Sequence, residues 1–242
     1  MKPTANVCLL LICCVLFACN SSKIEQPKEV IKKQTLSNQT VSSDRPNIVF
    51  IFADDMGYGE IQALNPDRSK IPTPHLNQLF SQGKIFTDAH TTSSVCTPSR
   101  YALLTGRYNW RTRLQHGVVT GGGEPLIAAG RLTVPAIFKE KGYCTAMVGK
   151  WHLEYRYEVP EALKDVPLSK ATKEFMPAPY PVGTKIIEGP VTRGFESFYG
   201  FHHSREMSSM VSNDTIEKEL DIIDVLPGLT DEVVKLIAPK SR

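Results

Sequence analysis

The stretch Pro46-Asn47-Ile48-Val49-Phe50-Ile51-Phe52-Ala53-Asp54-Asp55-Met56-Gly57-Tyr58-Gly59 decides how the chain is read. The unbroken β-branched and aromatic run Ile48 to Phe52 predicts a short buried strand of a parallel sheet. Two carboxylates follow it directly, and in open α/β sheets the ligand site lies beyond the carboxyl ends of the strands. Neighbouring strand residues point to opposite faces, so Asp54 and Asp55 reach one point only where the backbone turns. Gly57 and Gly59 permit such a turn. Paired carboxylates without a nearby His favour a hard cation, Ca²⁺ or Mg²⁺. A solvated acidic turn is the plain alternative.

Outward from this stretch, strand and helix patterns alternate. Thr73-Pro74 opens a predicted helix with Leu76, Leu79 and Phe80 on one face and Gly83 as its stop. Lys84 to Ala89 reads as a strand, and Pro98 to Thr105 as a helix closed by Gly106. Thr133 has the character of an N-cap, with Val134, Ile137 and Phe138 on one face and Gly142 as the stop. Tyr143 to Val148 reads as a buried strand. The alternation predicts an α/β fold with helices flanking a largely parallel central sheet. From Glu154 to Gly189 prolines accumulate and long surface loops are expected. Thr230 to Ile237 is expected to be an amphipathic helix, with Asp231 and Glu232 in its first turn.

The composition sets bounds. The chain has 242 residues, a formal charge of +3, 41% hydrophobic residues and 22% charged residues. These values argue against wholesale disorder, a collagen-like repeat and a multi-span membrane protein. The near-neutral charge gives no case for nucleic acid as a partner. The length suits one domain with a real core.

Val7 to Ala18 is an unbroken run of 12 apolar residues behind Lys2. A bilayer span needs about 20 residues, so the run fits a signal-peptide core instead. The run ends Leu16-Phe17-Ala18-Cys19, which resembles a bacterial lipoprotein cleavage site with Cys19 as the lipidated first residue. Residues 1–18 are thus expected to be a lipoprotein-type signal peptide and 19–45 a flexible polar tether. The expected location is the bacterial cell envelope, with the chain anchored to a membrane and facing the periplasm or the cell surface. Four of the six cysteines lie in this leader region, which leaves Cys96 and Cys144 for the folded region and at most one disulfide.

Ser93-Ser94-Val95-Cys96-Thr97-Pro98-Ser99-Arg100 continues into Tyr101-Ala102-Leu103-Leu104-Thr105-Gly106-Arg107. Pro98 at a helix start places Cys96 beside the free amides of that helix's N-terminus, where an anion is favoured. Cys96 reads either as a low-pKa nucleophile or as a small buried residue. Arg100, one turn on, can face the same side. In Val148-Gly149-Lys150-Trp151-His152, Lys150 and His152 are two apart and share a face if the strand continues.

Cys96-Thr97-Pro98-Ser99-Arg100 with Leu104-Thr105-Gly106-Arg107, after Asp54-Asp55 and before Lys150-Trp151-His152, resembles the signature of the type I sulfatases of the alkaline phosphatase superfamily. The likeness is strongest to the arylsulfatase-A-like members and runs from about Pro46 to Gly200. It implies an alkaline-phosphatase-like fold and hydrolysis of sulfate monoesters, with a sulfated glycan as the substrate guess. It implies that a maturation enzyme oxidises Cys96 to formylglycine. The hydrated aldehyde attacks sulfur with one hydroxyl, and its second hydroxyl allows sulfate to be expelled. It further implies that Asp54, Asp55 and residue 96 bind Ca²⁺, with Mg²⁺ the lesser candidate. Arg100 would hold the modified residue and offset charge, Lys150 would contact the sulfate and the nucleophile, and His152 would contact the substrate and assist proton transfer. Phosphonate and phosphodiester hydrolases of the same superfamily share a similar Cys motif and form the alternative reading.

Members of that family are about twice as long, so residues 46–242 are expected to be a C-terminally truncated catalytic domain with an unfinished sheet edge. Activity would then depend on the missing half, and a non-catalytic, lipid-anchored remnant is the other reading. Asn213-Asp214 has the reverse order of the family's second metal pair. His202-His203 is expected to be a pair of loop histidines rather than the family's proton donor.

Overall fold

The computed structural model describes residues 45–121, 123–159, 161 and 180–238. The expected signal peptide and nearly all of the tether lie outside the described residues. The chain divides into Met1–Phe50 and Ile51–Arg242. Of the first unit only residues 45–50 are described, and they are exposed and without regular structure.

The second unit contains a four-stranded sheet in the order β1-β4-β5-β6: β1 (Ala146–Lys150), β4 (Ser197–Phe201), β5 (Ser209–Ser212) and β6 (Thr215–Glu219). A two-stranded antiparallel ladder pairs β2 (Arg156–Tyr157) with β3 (Ile186–Glu188). The helices are α1 (Pro74–Gln82), α2 (Cys96–Thr105), α3 (Val134–Glu140) and α4 (Ile222–Ile237). The class is α/β, but the sheet is mixed. Only β1 and β4 run parallel, while β4–β5 and β5–β6 are antiparallel. Asn213 and Asp214 are the cause at β5–β6: they make the tight turn between the strands, with Asn213 at φ 55°, and a two-residue link joins only antiparallel neighbours.

Two expected strands are loops. Ile48 to Phe52 forms no strand, and exposure runs from 36% at Phe52 to 77% at Ile51. A continuous apolar run becomes a buried strand only where neighbours complete its ladder and cover both faces. Lys84 to Ala89 is likewise irregular, with Phe86 74% exposed. The strand expected from Tyr143 begins later, at Ala146, because Gly142 (φ 78°) and the turn after α3 take up the first residues. The C-terminal helix begins at Ile222, so Asp231 and Glu232 sit inside it rather than in its first turn. Pro227 lies within α4, where it forgoes one backbone hydrogen bond without ending the helix. Among the described residues Cys96 and Cys144 are free, and the possible disulfide is not formed.

The core is organised by the segment after β1. Trp151, Leu153 and Tyr155 pack with Tyr101, Ile127, Phe198, Val211 and Ile216, all at most 3% exposed. The alternate residues His152 and Glu154 are also buried, at 5% and 3%. Both have left-handed backbones (φ 54° and 68°), which ends the strand at Lys150 and redirects the chain. No helix among the described residues is long and apolar enough to cross a membrane.

Candidate active site

The site forms where the first turn of α2 meets the end of β1. The helix starts at Cys96, two residues before the expected start, with extended Val95 preceding it. Pro98 falls in the first turn, where its missing N–H is no loss. Ser99 Oγ donates to the carbonyl oxygens of Ser93 and Val95 at 2.8 and 2.9 Å and holds the approach to the helix. Thr97, fully buried, donates to His152 O at 3.0 Å and accepts from Val119 N at 3.3 Å.

Lys150, the last residue of β1, is 7% exposed and reaches two groups from two other segments. Its Nζ lies 2.7 Å from Asp54 Oδ2 and 3.2 Å from Cys96 Sγ. Arg100 Nη1 donates to Lys150 O at 2.6 Å, and Nη2 lies 3.4 Å from Asp54 Oδ1. The guanidinium stands 5.5 Å from the centre of the Phe52 ring, within cation–π range. Its Nε is buried without a hydrogen-bond partner. Partial burial pushes the Asp54 carboxyl up, but Lys150 and Arg100 outweigh it and hold the group below its ordinary range.

Asp54, Asp55 and Cys96 each present one donor atom within 4.8 Å of the others. Asp55 sits at φ 57°, and this left-handed kink is the turn that lets adjacent residues face one point. The two carboxylates fit a hard cation in kind, whereas the Cys96 sulfur is a soft donor and would fit one only after conversion to an oxygen group. Two carboxylates supply only some of the six to eight oxygens that Ca²⁺ takes.

His152 does not share the face of Lys150, because the strand does not continue to it. Its Nε2 lies 2.9 Å from Val119 O, and its Nδ1 has no hydrogen-bond partner. A carbonyl can only accept, so Nε2 carries the proton and Nδ1 presents a bare lone pair. Burial, reinforced by the Lys150 charge, pushes His152 down to about 3, so the ring is neutral across the physiological range.

The structure thus brings Asp54, Asp55, Cys96, Arg100 and Lys150 together and places His152 beside them, toward His202 and His203. The two histidines lie in a loop after β4, yet are buried at 3% and 4% exposure beside Glu206. The sequence reading of His202 and His203 as loop histidines holds, but it did not foresee their burial or the approach of Glu206. The cluster's only signal was two histidines followed by an acid within one helical turn's spacing. Asn213 is structural: its Oδ1 accepts from Phe198 N at 3.2 Å, while Asp214 pairs with Lys185 at 3.1 Å.

Comparison with known proteins gives these residues a family. The Sulfatase family matches residues 46–237. The chain is 45% identical to N-acetylgalactosamine-6-O-sulfatase of Bacteroides thetaiotaomicron over 112 residues, 46% of this chain and 21% of that protein. It is 44% identical to Arylsulfatase A of Homo sapiens over 108 residues, 45% of this chain and 21% of that protein. A solved structure from work on the metabolism of multiple glycosaminoglycans by Bacteroides thetaiotaomicron superposes with a TM-score of 0.55 and 32% identity, over 71% of this chain and 32% of that one. Ps i-CgsB superposes at 0.52 with 21% identity, over 79% and 45%, a likeness of fold. The chain belongs to the Sulfatase family, and its α/β fold is alkaline-phosphatase-like. It spans about a fifth of the length of the curated relatives it matches.

Proposed function

We propose that the chain carries the nucleophile half of a sulfatase active site, for hydrolysis of sulfate monoesters on a glycan. One observation carries this reading: Lys150 Nζ touches Asp54 and Cys96 at once, at 2.7 and 3.2 Å. A carboxylate, a sulfur nucleophile position and a buried cation from three distant segments thereby meet at a helix N-terminus. The relatives' names, N-acetylgalactosamine-6-O-sulfatase and Arylsulfatase A, support sulfate esters over phosphate esters.

Asp54 and Asp55 would hold a divalent cation, Ca²⁺ in our reading, and Cys96 would be oxidised by a maturation enzyme. The resulting hydrated formylglycine supplies a hydroxyl for attack on sulfur and a second hydroxyl that permits release of sulfate. Lys150 and Arg100 offer fixed positive charge where a sulfate monoester and its developing alkoxide carry negative charge. Because both are tied to the protein frame, this stabilisation needs no reorganisation during the reaction. By resemblance His152 would assist proton transfer; its neutral ring leaves Nδ1 without a hydrogen-bond partner. We read the N-terminal leader as a lipoprotein signal that exports the chain and anchors it through Cys19.

The test is sulfate release from an aryl sulfate and from a sulfated disaccharide, with matched phosphate esters. The protein is produced together with a formylglycine-generating enzyme. Turnover of sulfate esters that Cys96→Ala abolishes supports the reading. Turnover of phosphate esters alone, or turnover that survives Cys96→Ala, overturns it.

A further inference from the structure

The loop that follows α2 carries a surface that the proposed chemistry does not use. Gly106 ends α2, and the chain continues Arg107-Tyr108-Asn109-Trp110-Arg111. The Tyr108 and Trp110 rings lie face to face, 4.0 Å between centres and 11° between planes. They are 46% and 52% exposed, although rings of this size are stabilising chiefly when buried. Neither belongs to the buried clusters of the core.

The backbone under the two rings is tied down. Asn109, between them in sequence, is 6% exposed, and its Nδ2 donates to Leu114 O at 2.8 Å. Thr112 Oγ1 and Thr112 N both donate to Asn109 O, at 2.6 and 2.8 Å. Gln115 Nε2 donates to Trp110 O at 3.1 Å and to Thr112 O at 2.7 Å. The single 3₁₀ turn Asn109–Arg111 is thereby fixed to the residues that follow it. Aromatic rings presented to water on a fixed backbone lose little conformational freedom when a ligand covers them.

The surroundings are positive. Between Asp88 and Glu124 the chain has no acidic residue, whereas Arg100, Arg107, Arg111 and Arg113 all fall there. Arg100 serves Asp54, and Arg113 donates to Glu124 O and Pro125 O. Arg107 and Arg111, which flank the aromatic pair, have no ion-pair partner among the described residues. Two guanidiniums beside two aromatic faces suit a ligand that is apolar on one face and anionic at its rim. A sulfated sugar has that form, with C–H groups on the ring face and sulfates at the edge. The guanidinium fork matches the oxygens of such an anion with paired donors. Tyr108 and Trp110 already cover each other's inner faces, so no nucleobase can enter between them. A sugar needs only an outer face.

The surface stands at the far end of the helix that begins at Cys96. That helix has 10 residues and is about 15 Å long. A polymer held at both points is bound by a second contact at high effective concentration.

We propose that Tyr108, Trp110, Arg107 and Arg111 form a docking platform for a sulfated polysaccharide, which it holds at a stretch away from the ester being cleaved. Its use in turnover rests on the sulfatase reading; its affinity for sulfated sugar does not.

Tryptophan fluorescence of the full chain tests the platform. The chain has two tryptophans and Trp151 is 2% exposed, so a response to an added polymer reports Trp110. The probes are chondroitin sulfate and dextran sulfate, each against its unsulfated form, with an oligothymidylate as a different polyanion. A saturable change with a sulfated polymer is expected, absent with its unsulfated form and weakened by added salt. Affinity electrophoresis through gels holding the same polymer reads the variants. Trp110→Ala and Arg111→Gln are each expected to weaken binding about fivefold or more, with melting temperatures unchanged. No response to either sulfated polymer overturns the proposal, and so does binding that survives both variants. Oligothymidylate bound as tightly, and lost in the same variants, makes nucleic acid the ligand and also overturns it. None of these readouts needs turnover, so a chain inactive toward sulfate esters leaves them standing. In an active enzyme Trp110→Ala is expected to raise KM for the polymer and to leave turnover of a sulfated disaccharide unchanged; equal effects on both contradict the platform.

Discussion

Thr97 Oγ1 donates to His152 O at 3.0 Å and accepts the Val119 amide at 3.3 Å, so one buried hydroxyl ties the nucleophile turn to the segment after β1. Thr97→Val keeps the shape and removes both bonds. A buried polar group left unpaired costs about 1–3 kcal/mol. The variant is expected to lose about 2–4 kcal/mol in urea denaturation, with Thr97→Ser losing less than about 1 kcal/mol.

Gly149 and Gly200 face each other where β1 pairs with β4. A Cβ at Gly200 would stand 1.9 Å from Gly149 O, a backbone atom that cannot step aside. Gly200→Ala is expected to cost about 3 kcal/mol or more, since overpacking here must push β1 and β4 away from each other. Gly130→Ala is the control: its φ of 73° carries strain, but nothing lies within 4 Å. It should cost only about 1 kcal/mol. Thermal melting of the two variants separates the cases, and equal losses would contradict the register.

His152 is held down at about 3 by burial and by Lys150, against an ordinary 6.5. The unfolded chain therefore takes up a proton at this residue below pH 6.5 that the folded chain refuses. Its contribution to stability is complete above 6.5 and is lost as the pH falls toward 3. The slope is about 1.4 kcal/mol per pH unit for one proton. His152→Asn is expected to flatten the acid limb of the stability profile by that one proton. An unchanged slope would show that the ring charges freely in the folded state.

Asp54, like His152, is held below its ordinary value in the folded chain and so loses stability on the acid side, here because of its ion pairs. Its carboxyl is held below the ordinary 3.8 by Lys150 and Arg100, against the pull of partial burial. The ion pairs stabilise the fold above 3.8 and are lost as acid protonates the folded carboxyl. With its side chain 38% exposed the effect is small. Lys150→Met, by contrast, removes charge where the sulfate would sit, and is expected to lower kcat by about 10²–10³. Parallel acid titration and sulfate-release assays on Asp54→Asn and Lys150→Met check the pair of expectations.

The local motifs were legible because they are read over a few residues. The helix from Cys96 to Thr105 and the Thr133 cap fall where spacing placed them, to within two or three residues, while Lys150 and His152 do not share the face that their spacing predicted. The sheet was not legible. Ile48 to Phe52 has the composition of a buried strand, but pairing and cover come from elsewhere in the fold, and composition does not report them. The strands β4, β5 and β6 were missed because short, half-polar runs such as Ser209–Ser212 carry little periodicity. The left-handed turns at His152 and Glu154 were also invisible, since neither residue type announces a positive φ. They separate the aims of Lys150 and His152, and they bring Glu154 to the buried histidines.

The central claim is that Cys96 is the precursor of the nucleophile. Peptide mass spectrometry on the chain, produced with a formylglycine-generating enzyme, tests it most directly. The tryptic peptide containing Cys96 is expected to be lighter by the exchange of H₂S for one oxygen and to react with an aldehyde-specific hydrazide. A peptide that keeps its free thiol under conditions that convert a control sulfatase would contradict the account.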